Sequence, residues 1–326
     1  MVKNNKILLL PLFALLLNSC FIGKNVPKEE ARARVLKALA NTKKISANTI
    51  AMEYKEEAFN DLTTFNNGEQ RQKIETKANI TLKGKELQTD NPELAISANG
   101  TSALTINKAK INNVVIDEHY YYTDEWEYRD YLFTFTEYQS KELTLKTTYS
   151  EKQKTAVDPL ELQKIYPVSL LTLLPNLVID FTTIDLDLDF TVAHFASRLG
   201  AGEIKGVLKV EYKLDKTDYL SLLINLATEG MTSEERKAFE AAALLKYKEL
   251  VSTLKRVYYK ITVEVNEDDI ISALRVDLNI KQSNTHLKDV TPEAKSIIIS
   301  KAYKEIRFVV NKPVVINYPD LTTYLT

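Results

Sequence analysis

The chain has 326 residues, of which 44% are hydrophobic and 27% charged, and this is the composition of a folded globular protein. Its formal net charge of −1 gives no reason to expect nucleic-acid binding, which needs a concentrated basic surface. With one cysteine, three histidines and eight glycines, the sequence excludes an internal disulfide framework. It also disfavours a zinc site and a dinucleotide-binding fold, which uses clustered glycines.

The first element is the N-terminal segment, where a short basic start precedes an almost unbroken apolar run over residues 7–17. Ser19 and Cys20, the single cysteine, follow that run. This is the layout of a secretory signal peptide, and its end resembles the lipobox of bacterial lipoproteins. The resemblance implies that residues 1–19 are removed and that Cys20 is lipidated. An ordinary transmembrane anchor and a cleaved signal without lipid are the alternatives.

If Cys20 carries the lipid, residues 20–26 tether the folded part to the cell membrane. The protein would then face the extracytoplasmic side, either the cell surface or the periplasm. No later run approaches the roughly 18 apolar residues that a spanning helix needs. We therefore expect the membrane contact to be made by the lipid alone.

The folded part begins with a predicted helix and continues with predicted strands. Pro27 suits the first helical position, and Glu29 and Glu30 favour its positive end. From about residue 45 the apolar residues alternate with a period of two. Candidate strands follow near residues 50–54, 78–82, 92–106, 110–122, 130–138 and 142–149.

The second half of the chain predicts further helices and strands. Asp158 and Thr232 each begin a helix in the pattern of a capping box. Clean alternation predicts strands over residues 184–192 and 208–214, a hairpin that pairs 257–265 with 274–280, and a last strand near 302–318. One polar face on each strand indicates an antiparallel sheet that is covered on one side.

These elements predict an α+β protein in which a curved, mostly antiparallel sheet, a half-barrel, wraps a few α-helices. In the absence of a linker rich in glycine, proline or serine, residues 27–326 are expected to form a single domain. Two tandem half-domains, roughly 27–150 and 158–326, are the alternative.

Four stretches resemble the lipoprotein-carrier superfamily, the half-barrel proteins of the LolA and LppX/LprG type. They are the first helix (residues 31–39), an aromatic hairpin (120–128), a strand-to-helix passage (212–220) and a closing strand before a proline (311–319). The resemblance implies an apolar cavity between sheet and helices that holds acyl chains. The residues that would then contact a ligand are Tyr120, Tyr122, Trp126, Leu186, Leu188, Leu208, Val210, Val276 and Leu278.

The same residues have alternative interpretations. A packed core uses the same apolar residue types as a lined cavity, so the inward-facing positions also fit a filled interior. The aromatic residues between His119 and Tyr131 fit either a recognition surface or a cavity mouth, and they also fit ordinary packing along a sheet edge.

The sequence offers little catalytic chemistry. No histidine pair has a metal-binding spacing, no nucleophile motif is present, and no cofactor or metal is expected. Asp185, Asp187 and Asp189 point the same way from one predicted strand, and either calcium or facing lysines could relieve their repulsion. We expect a solvated sheet face at these residues, and we expect that the protein is not an enzyme.

Two functions follow from these patterns. The first is a lipid-anchored extracytoplasmic protein that binds or carries an apolar ligand, a lipid above all, in a half-barrel cavity. The second is a cell-surface interaction or structural lipoprotein without a small-molecule ligand. The aromatic hairpin favours the second function if the interior is filled.

Overall fold

The computed structural model describes residues 24–43, 47–66, 68–123, 125–140, 143–157, 200–204, 206–216, 228 and 230–324. The predicted signal segment, Cys20, the strand predicted over 184–192 and the helix predicted from Asp158 lie outside the described residues. Leu186, Leu188 and the row Asp185, Asp187 and Asp189 therefore have no structural account.

One antiparallel sheet contains all twelve strands of the described residues, in the order β1-β8-β9-β10-β11-β12-β2-β3-β4-β5-β6-β7. The strands are β1 Lys24–Asn25, β2 Ile50–Thr64, β3 Gln70–Lys85, β4 Glu93–Ile106, β5 Ala109–Thr123, β6 Trp126–Tyr138, β7 Thr144–Ala156, β8 Gly200–Ile204, β9 Val207–Leu214, β10 Leu254–Val265, β11 Ile271–Ser283 and β12 Ser296–Val310. We call β1, β2 and β8–β12 the inner half, and β3–β7 the outer half.

Two α-helices are described, α1 over Lys28–Lys43 and α2 over Ser233–Thr253. Helix α1 follows Pro27, whose carbonyl accepts from Ala31 N at 2.9 Å, as expected of proline in a first turn. Helix α2 has the predicted capping box, in which Thr232 and Glu235 bond each other's backbone N–H groups. Short 3-10 helices span Pro292–Ala294 and Leu321–Thr323.

The hydrophobic core lies between α1 and one face of the sheet, which we call the helix face. Ala31, Val35 and Ala38 supply the helix side, each at most 2% exposed. The sheet side is formed by alternate residues of several strands: Met52, Tyr54, Leu82, Leu94, Tyr122, Leu208, Val210, Val263, Val265, Leu274, Val276, Ile306 and Phe308. Because the β-strand period is two, these residues all point to the helix face.

The opposite face of the sheet carries the C-terminal segment, residues 311–324, and we call it the tail face. Tyr318 donates a hydrogen bond to Glu93 Oε2 at 2.6 Å, and Lys83 Nζ donates to the Val315 carbonyl at 3.3 Å. Tyr324 meets the ring of Tyr128 edge-on, with centroids 5.5 Å apart. The segment therefore crosses one end of the outer half and covers that end of its tail face.

The tail face of the inner half is polar. Lys260 Nζ lies 3.4 Å from Glu211 Oε1 and 3.8 Å from Asp277 Oδ2. Arg275 pairs with Asp277 at 2.9 Å, and Arg307 bridges Glu264 and Glu305. A ladder of opposite charges thus faces solvent where a sandwich would place a second apolar layer.

In the outer half, burial is confined to one end of the strands. The buried residues of β3–β7 are Leu82, Gly84, Leu94, Tyr122, Thr123 and Tyr128. Leu82, Leu94 and Tyr122 belong to the same core cluster as Leu87, which lies against Gly84, and Tyr128 contacts Tyr324 of the C-terminal segment. Every other residue of these five strands is half-exposed or exposed on both faces. Within the described residues, most of the outer half is a single layer of sheet.

The predicted fold class is therefore wrong. The pairing is antiparallel throughout, but the sheet is open and extends far beyond the two described helices instead of wrapping them. The error has a physical cause. Alternation was interpreted as one covered face, whereas strands of 13–16 residues in the outer half reach the core with one end alone.

Most predicted elements within the described residues are present, with longer strands than expected. The hairpin β10–β11 and the strands β4 and β5 match their predicted spans closely, whereas β12 ends at Val310 and not near residue 318. Among the described residues, no helix combines the length and the apolar character needed to cross a membrane.

Candidate interaction surface

The aromatic hairpin predicted from sequence is β5–β6, and strand alternation divides its rings between the two faces. Tyr120 and Tyr122 point to the helix face, where Tyr122 is buried in the core. Tyr121, Trp126 and Tyr128 point to the tail face, where Lys154 Nζ lies 4.2 Å from the Trp126 ring centroid. The predicted residues Tyr120, Tyr122 and Trp126 therefore do not form one common site.

A cluster on the helix face instead brings Tyr120 together with residues of β6. Arg129 donates to Glu118 Oε1 from Nε at 3.1 Å and from Nη2 at 2.7 Å. Tyr120 Oη donates to the same oxygen at 2.5 Å. The guanidinium lies 5.5 Å from the Tyr120 ring centroid and 5.1 Å from that of Tyr131. Arg129 is thus held in place by one carboxylate and two rings.

The pKa values of Tyr120 and Arg129 are both raised in this cluster. Partial burial, followed by the hydrogen bond to Glu118, raises the pKa of Tyr120 to about 12. The hydrogen bond to Glu118 also raises the pKa of Arg129. Near neutral pH the tyrosine is neutral and the arginine charged, which suits recognition better than proton transfer.

An apolar row lies beside this cluster on the same face. Register places Ile116, Phe133 and Tyr149 side by side on β5, β6 and β7. Ile116 is 37% exposed and Tyr149 is 51% exposed. Tyr149 donates to Glu151 Oε2 at 2.5 Å, and its ring lies 6.0 Å from that of Tyr131.

We call this set of residues the aromatic patch: Ile116, Tyr120, Arg129, Tyr131, Phe133 and Tyr149. Tyrosine and arginine carry much of the energy at protein–protein contacts because they combine large area with polar tips. The residues are on three adjacent strands of one sheet, so their relative positions are set by the backbone ladder. Nothing in the described chain covers the apolar row.

The other residues predicted to contact a ligand lie mostly in the core. Leu208 and Val210 are fully buried, Val276 is 1% exposed, and all three belong to the cluster that packs against α1. Leu278 is half-buried and packs against the same cluster. The structure therefore brings these four together at the helix–sheet interface, away from the aromatic patch.

A shallow depression of about 660 Å³ lies mainly on the tail face, over β12, β2, β3 and β4. Phe59 forms part of its floor, and Lys73 and Lys301 place their ammonium groups 4.9 and 5.6 Å from that ring. Glu57, Glu75 and Lys77 also line it. Because so many charged side chains line this depression, it differs from the apolar cavities that bind acyl chains.

The described residues show no arrangement that could hold a metal ion, since no three histidine, cysteine or carboxylate side chains converge. His119 pairs with Asp117 at 3.2 Å on the tail face and stacks on Tyr121. His286 contacts Ser252 at 3.1 Å. Both histidines have local partners on the protein surface.

The sequence analysis did not identify Ile116, Arg129, Phe133 and Tyr149 as members of the aromatic patch, nor Glu118 and Glu151 as the carboxylates that bond its side chains. Glu118 and Tyr120 are two residues apart, as are Arg129 and Tyr131, and Tyr149 and Glu151. This shared spacing was the available signal, because residues two apart on a strand share a face. The register between strands was still needed to show that the three pairs are neighbours.

The comparisons with known proteins add little. No family model matches the chain, and no curated protein matches it. Among solved structures, the chain is similar to the translocator domain of the autotransporter NalP from Neisseria meningitidis at 7% identity and a TM-score of 0.20. The match covers 85% of this chain and 94% of that one. The resemblance to the lipoprotein-carrier superfamily is not addressed by these findings and stays a prediction.

Proposed function

We propose that this protein is a lipid-anchored extracytoplasmic protein that binds a partner protein through the aromatic patch, without catalysis. The observation that carries the proposal is the open apolar row Ile116, Phe133 and Tyr149 beside a fixed Arg129. An aromatic surface that is already ordered costs little conformational entropy when it binds. Exposed apolar residues grouped in this way are typical of interaction sites.

The proposed anchor fits the position of the patch within the sheet. Cys20 precedes Lys24, the start of β1, by four residues, which reach at most about 14 Å when extended. Within the described residues, β1 is one edge strand of the sheet and β7 is the other. At about 4.8 Å per strand spacing, the eleven spacings put the β7 edge roughly 50 Å across the sheet from the tether. The patch would thus be presented far from the anchored edge.

Photo-crosslinking in intact cells that produce the protein tests partner binding. A photoreactive amino acid replaces Thr147, which is on β7 with its side chain on the helix face beside Phe135. The control replaces Thr81, an exposed residue of β3 whose side chain is on the tail face, four strands away from β7. We expect a discrete protein adduct from position 147 and none from position 81. Absence of any adduct, or equal adducts from both positions, contradicts the proposal.

Metabolic labelling with a palmitate analogue tests the anchor. We expect the full chain to incorporate the label and the Cys20→Ala variant to lose both the label and membrane association. A labelled Cys20→Ala variant would contradict lipidation at this residue.

The first function drawn from the sequence, transport or binding of an apolar ligand, stays a prediction. Native mass spectrometry of residues 21–326, followed by solvent extraction, distinguishes the two functions. Lipid recovered in near-stoichiometric amount would favour a carrier. A bare mass together with the adduct from position 147 would favour partner binding.

A further inference from the structure

The outer side of β7 is an edge of the sheet. Strand β7 pairs with β6 along its whole length of 13 residues, and within the described residues no strand pairs with its other side. Every residue from Thr144 to Ala156 is half-exposed or exposed. Such an edge presents a row of unpaired backbone donors and acceptors.

The flanking hydrogen bonds identify which β7 backbone groups point outward. Gln139 N donates to the Leu143 carbonyl at 3.0 Å before the strand, and Val157 N donates to the Glu125 carbonyl at 3.0 Å after it. Both bonds join an odd-numbered residue to an odd-numbered residue, and both pairs continue the register in which β6 pairs with β7. Since backbone direction alternates along a strand, the odd residues of β7 bond β6. The N–H and C=O groups of Lys146, Thr148, Ser150 and Lys152 point outward.

The side chains of β7 leave this backbone edge open. Natural edge strands are protected by proline or by lysines that project outward. No proline is present in β7. Lys152 instead lies 3.4 Å from Asp130, and Lys154 lies over the Trp126 ring, so both lysines extend along the tail face over β6. Among the described residues, nothing therefore blocks the outward backbone groups of β7 from the side.

The two faces of β7 define the chemistry of an added strand. On the tail face, Lys146, Lys152 and Lys154 form a basic row that favours acidic residues in a neighbouring strand. On the helix face, Leu145 and Tyr149 are 46% and 51% exposed, which favours apolar residues. A complementary strand therefore alternates acidic and apolar residues. Two β7 strands would place lysines opposite lysines in many registers, which disfavours pairing between copies.

We propose that β7 accepts an extended segment of the partner, in which acidic and apolar residues alternate, as a thirteenth antiparallel or parallel strand. This inference rests on the proposed function and specifies which part of the partner is bound. Main-chain hydrogen bonds would supply affinity, and the alternating side chains would supply specificity. An apolar residue of the added strand beside Tyr149 would also cover the exposed ring of Tyr149.

The test measures binding of a fluorescent nine-residue peptide of alternating Glu and Val to the full chain by anisotropy. Ser150→Pro removes one outward N–H and places a ring at the edge, whereas the odd residues that bond β6 are unchanged. We expect Ser150→Pro to weaken binding about tenfold or more and Ser150→Ala to change it less than about twofold. Circular dichroism checks that both variants keep their strand content.

Charge reversal provides a second variant that does not alter the backbone. Lys146→Glu should weaken binding of the Glu–Val peptide and strengthen binding of a Lys–Val peptide by similar factors. If wild type binds neither peptide, or if Ser150→Pro and Lys146→Glu bind as wild type does, the proposal is overturned. The adduct at position 147 can still form in that case, so the failure of this inference is distinguishable from failure of the proposed function.

Another segment of this chain has the same alternation, Ile-Asp-Leu-Asp-Leu-Asp-Phe at residues 184–190. This segment could occupy the β7 edge in place of a partner strand. A variant with lysine in place of Asp185, Asp187 and Asp189 tests that competition. If that variant binds the Glu–Val peptide and the unaltered chain does not, the edge is occupied from within the chain, and binding of a partner strand is overturned. Equal binding by both supports the proposal.

Discussion

The inner and outer halves of the sheet share one hydrogen-bond ladder but differ in what stabilises them. In the inner half, the helix face is buried over much of β9–β11 and at one end of β2 and β12, and Leu208, Val265 and Ile271 have no exposed surface. In the outer half, burial stops at one end of the strands, and Ile116 and Tyr149 face solvent. The centre of the inner half is a two-layer structure, and most of the outer half has one layer.

The difference shows that a long sheet can continue past its core. Each strand of the outer half is paired over 12–15 residues with its neighbours, and cross-strand contacts replace burial. Phe59 beneath Lys73 and Arg129 between Tyr120 and Tyr131 are such contacts. Stability in the outer half is therefore distributed over many weak pairs, and its side chains stay available for binding.

The comparison predicts the largest loss of stability for a core substitution in the inner half. Leu274→Ala should lower the free energy of unfolding by about 2–5 kcal/mol, because Leu274 is 1% exposed and its removal leaves a cavity against α1. Urea denaturation followed by circular dichroism measures this. A loss below about 1 kcal/mol would mean that α1 does not hold the core as described.

A smaller loss of stability is expected from a substitution at the boundary between the two halves, far from α1. An ion pair, and not apolar packing, is the main buried contact there. Asp61 on β2 is 3% exposed and accepts from Arg71 Nε at 2.8 Å, with a second bond between Arg71 Nη2 and Asp61 Oδ2. Asp61→Asn should cost about 1–2 kcal/mol, limited by the exposure of Arg71. The exposed pair Lys77–Glu57, on the same two strands, is the control. Glu57→Gln should change stability by less than about 0.5 kcal/mol.

The same ion pair predicts a dependence on pH. The hydrogen bond from Arg71 holds the pKa of Asp61 below its usual value of 3.8. The stabilisation is therefore complete above the unfolded-state pKa and is lost as the pH falls through the lower folded-state pKa. Denaturation midpoints of wild type and Asp61→Asn should converge as the pH falls below about 4. A constant difference down to pH 2 would contradict this assignment.

Removing the N-terminal cap of α2 should lower the free energy of unfolding by about 1 kcal/mol. Thr232 Oγ1 accepts from Glu235 N at 3.3 Å, and Glu235 Oε2 accepts from Thr232 N at 2.8 Å. Thr232→Ala should cost about 0.5–1.5 kcal/mol by leaving helix N–H groups unsatisfied. Thermal unfolding compared with Ser233→Ala, which lies outside the capping pair, measures the effect. Equal effects of the two variants would show that the cap is not formed.

The smallest effect is expected in the aromatic patch. Ile116→Ala should change stability by less than about 1 kcal/mol, because the side chain is 37% exposed in a single-layer region. The same variant should reduce the adduct formed from position 147. A loss comparable to that of Leu274→Ala would show that Ile116 is covered, and the division into two halves would fail.

Local patterns in the sequence determined most of the described elements. Alternation of apolar residues specifies β4, β5 and the hairpin β10–β11, and Thr232 with Glu235 specifies the start of α2, because strand and cap geometry depend on neighbours in the chain. Local patterns did not predict the aromatic patch around Arg129. Glu118, Tyr131 and Glu151 become neighbours through the register of three strands, and a shift of one residue would send one of them to the other face.

By itself, then, the sequence determined the antiparallel strands, the first helix and the capped helix. The tertiary structure decided where the core ends. Leu208 and Ile116 both occupy apolar positions in alternating strands, yet one is fully buried and the other is 37% exposed. Their burial depends on whether α1 lies above them, and the position of a helix over a sheet is set by packing between residues far apart in the chain. That packing separates a buried core from an exposed surface.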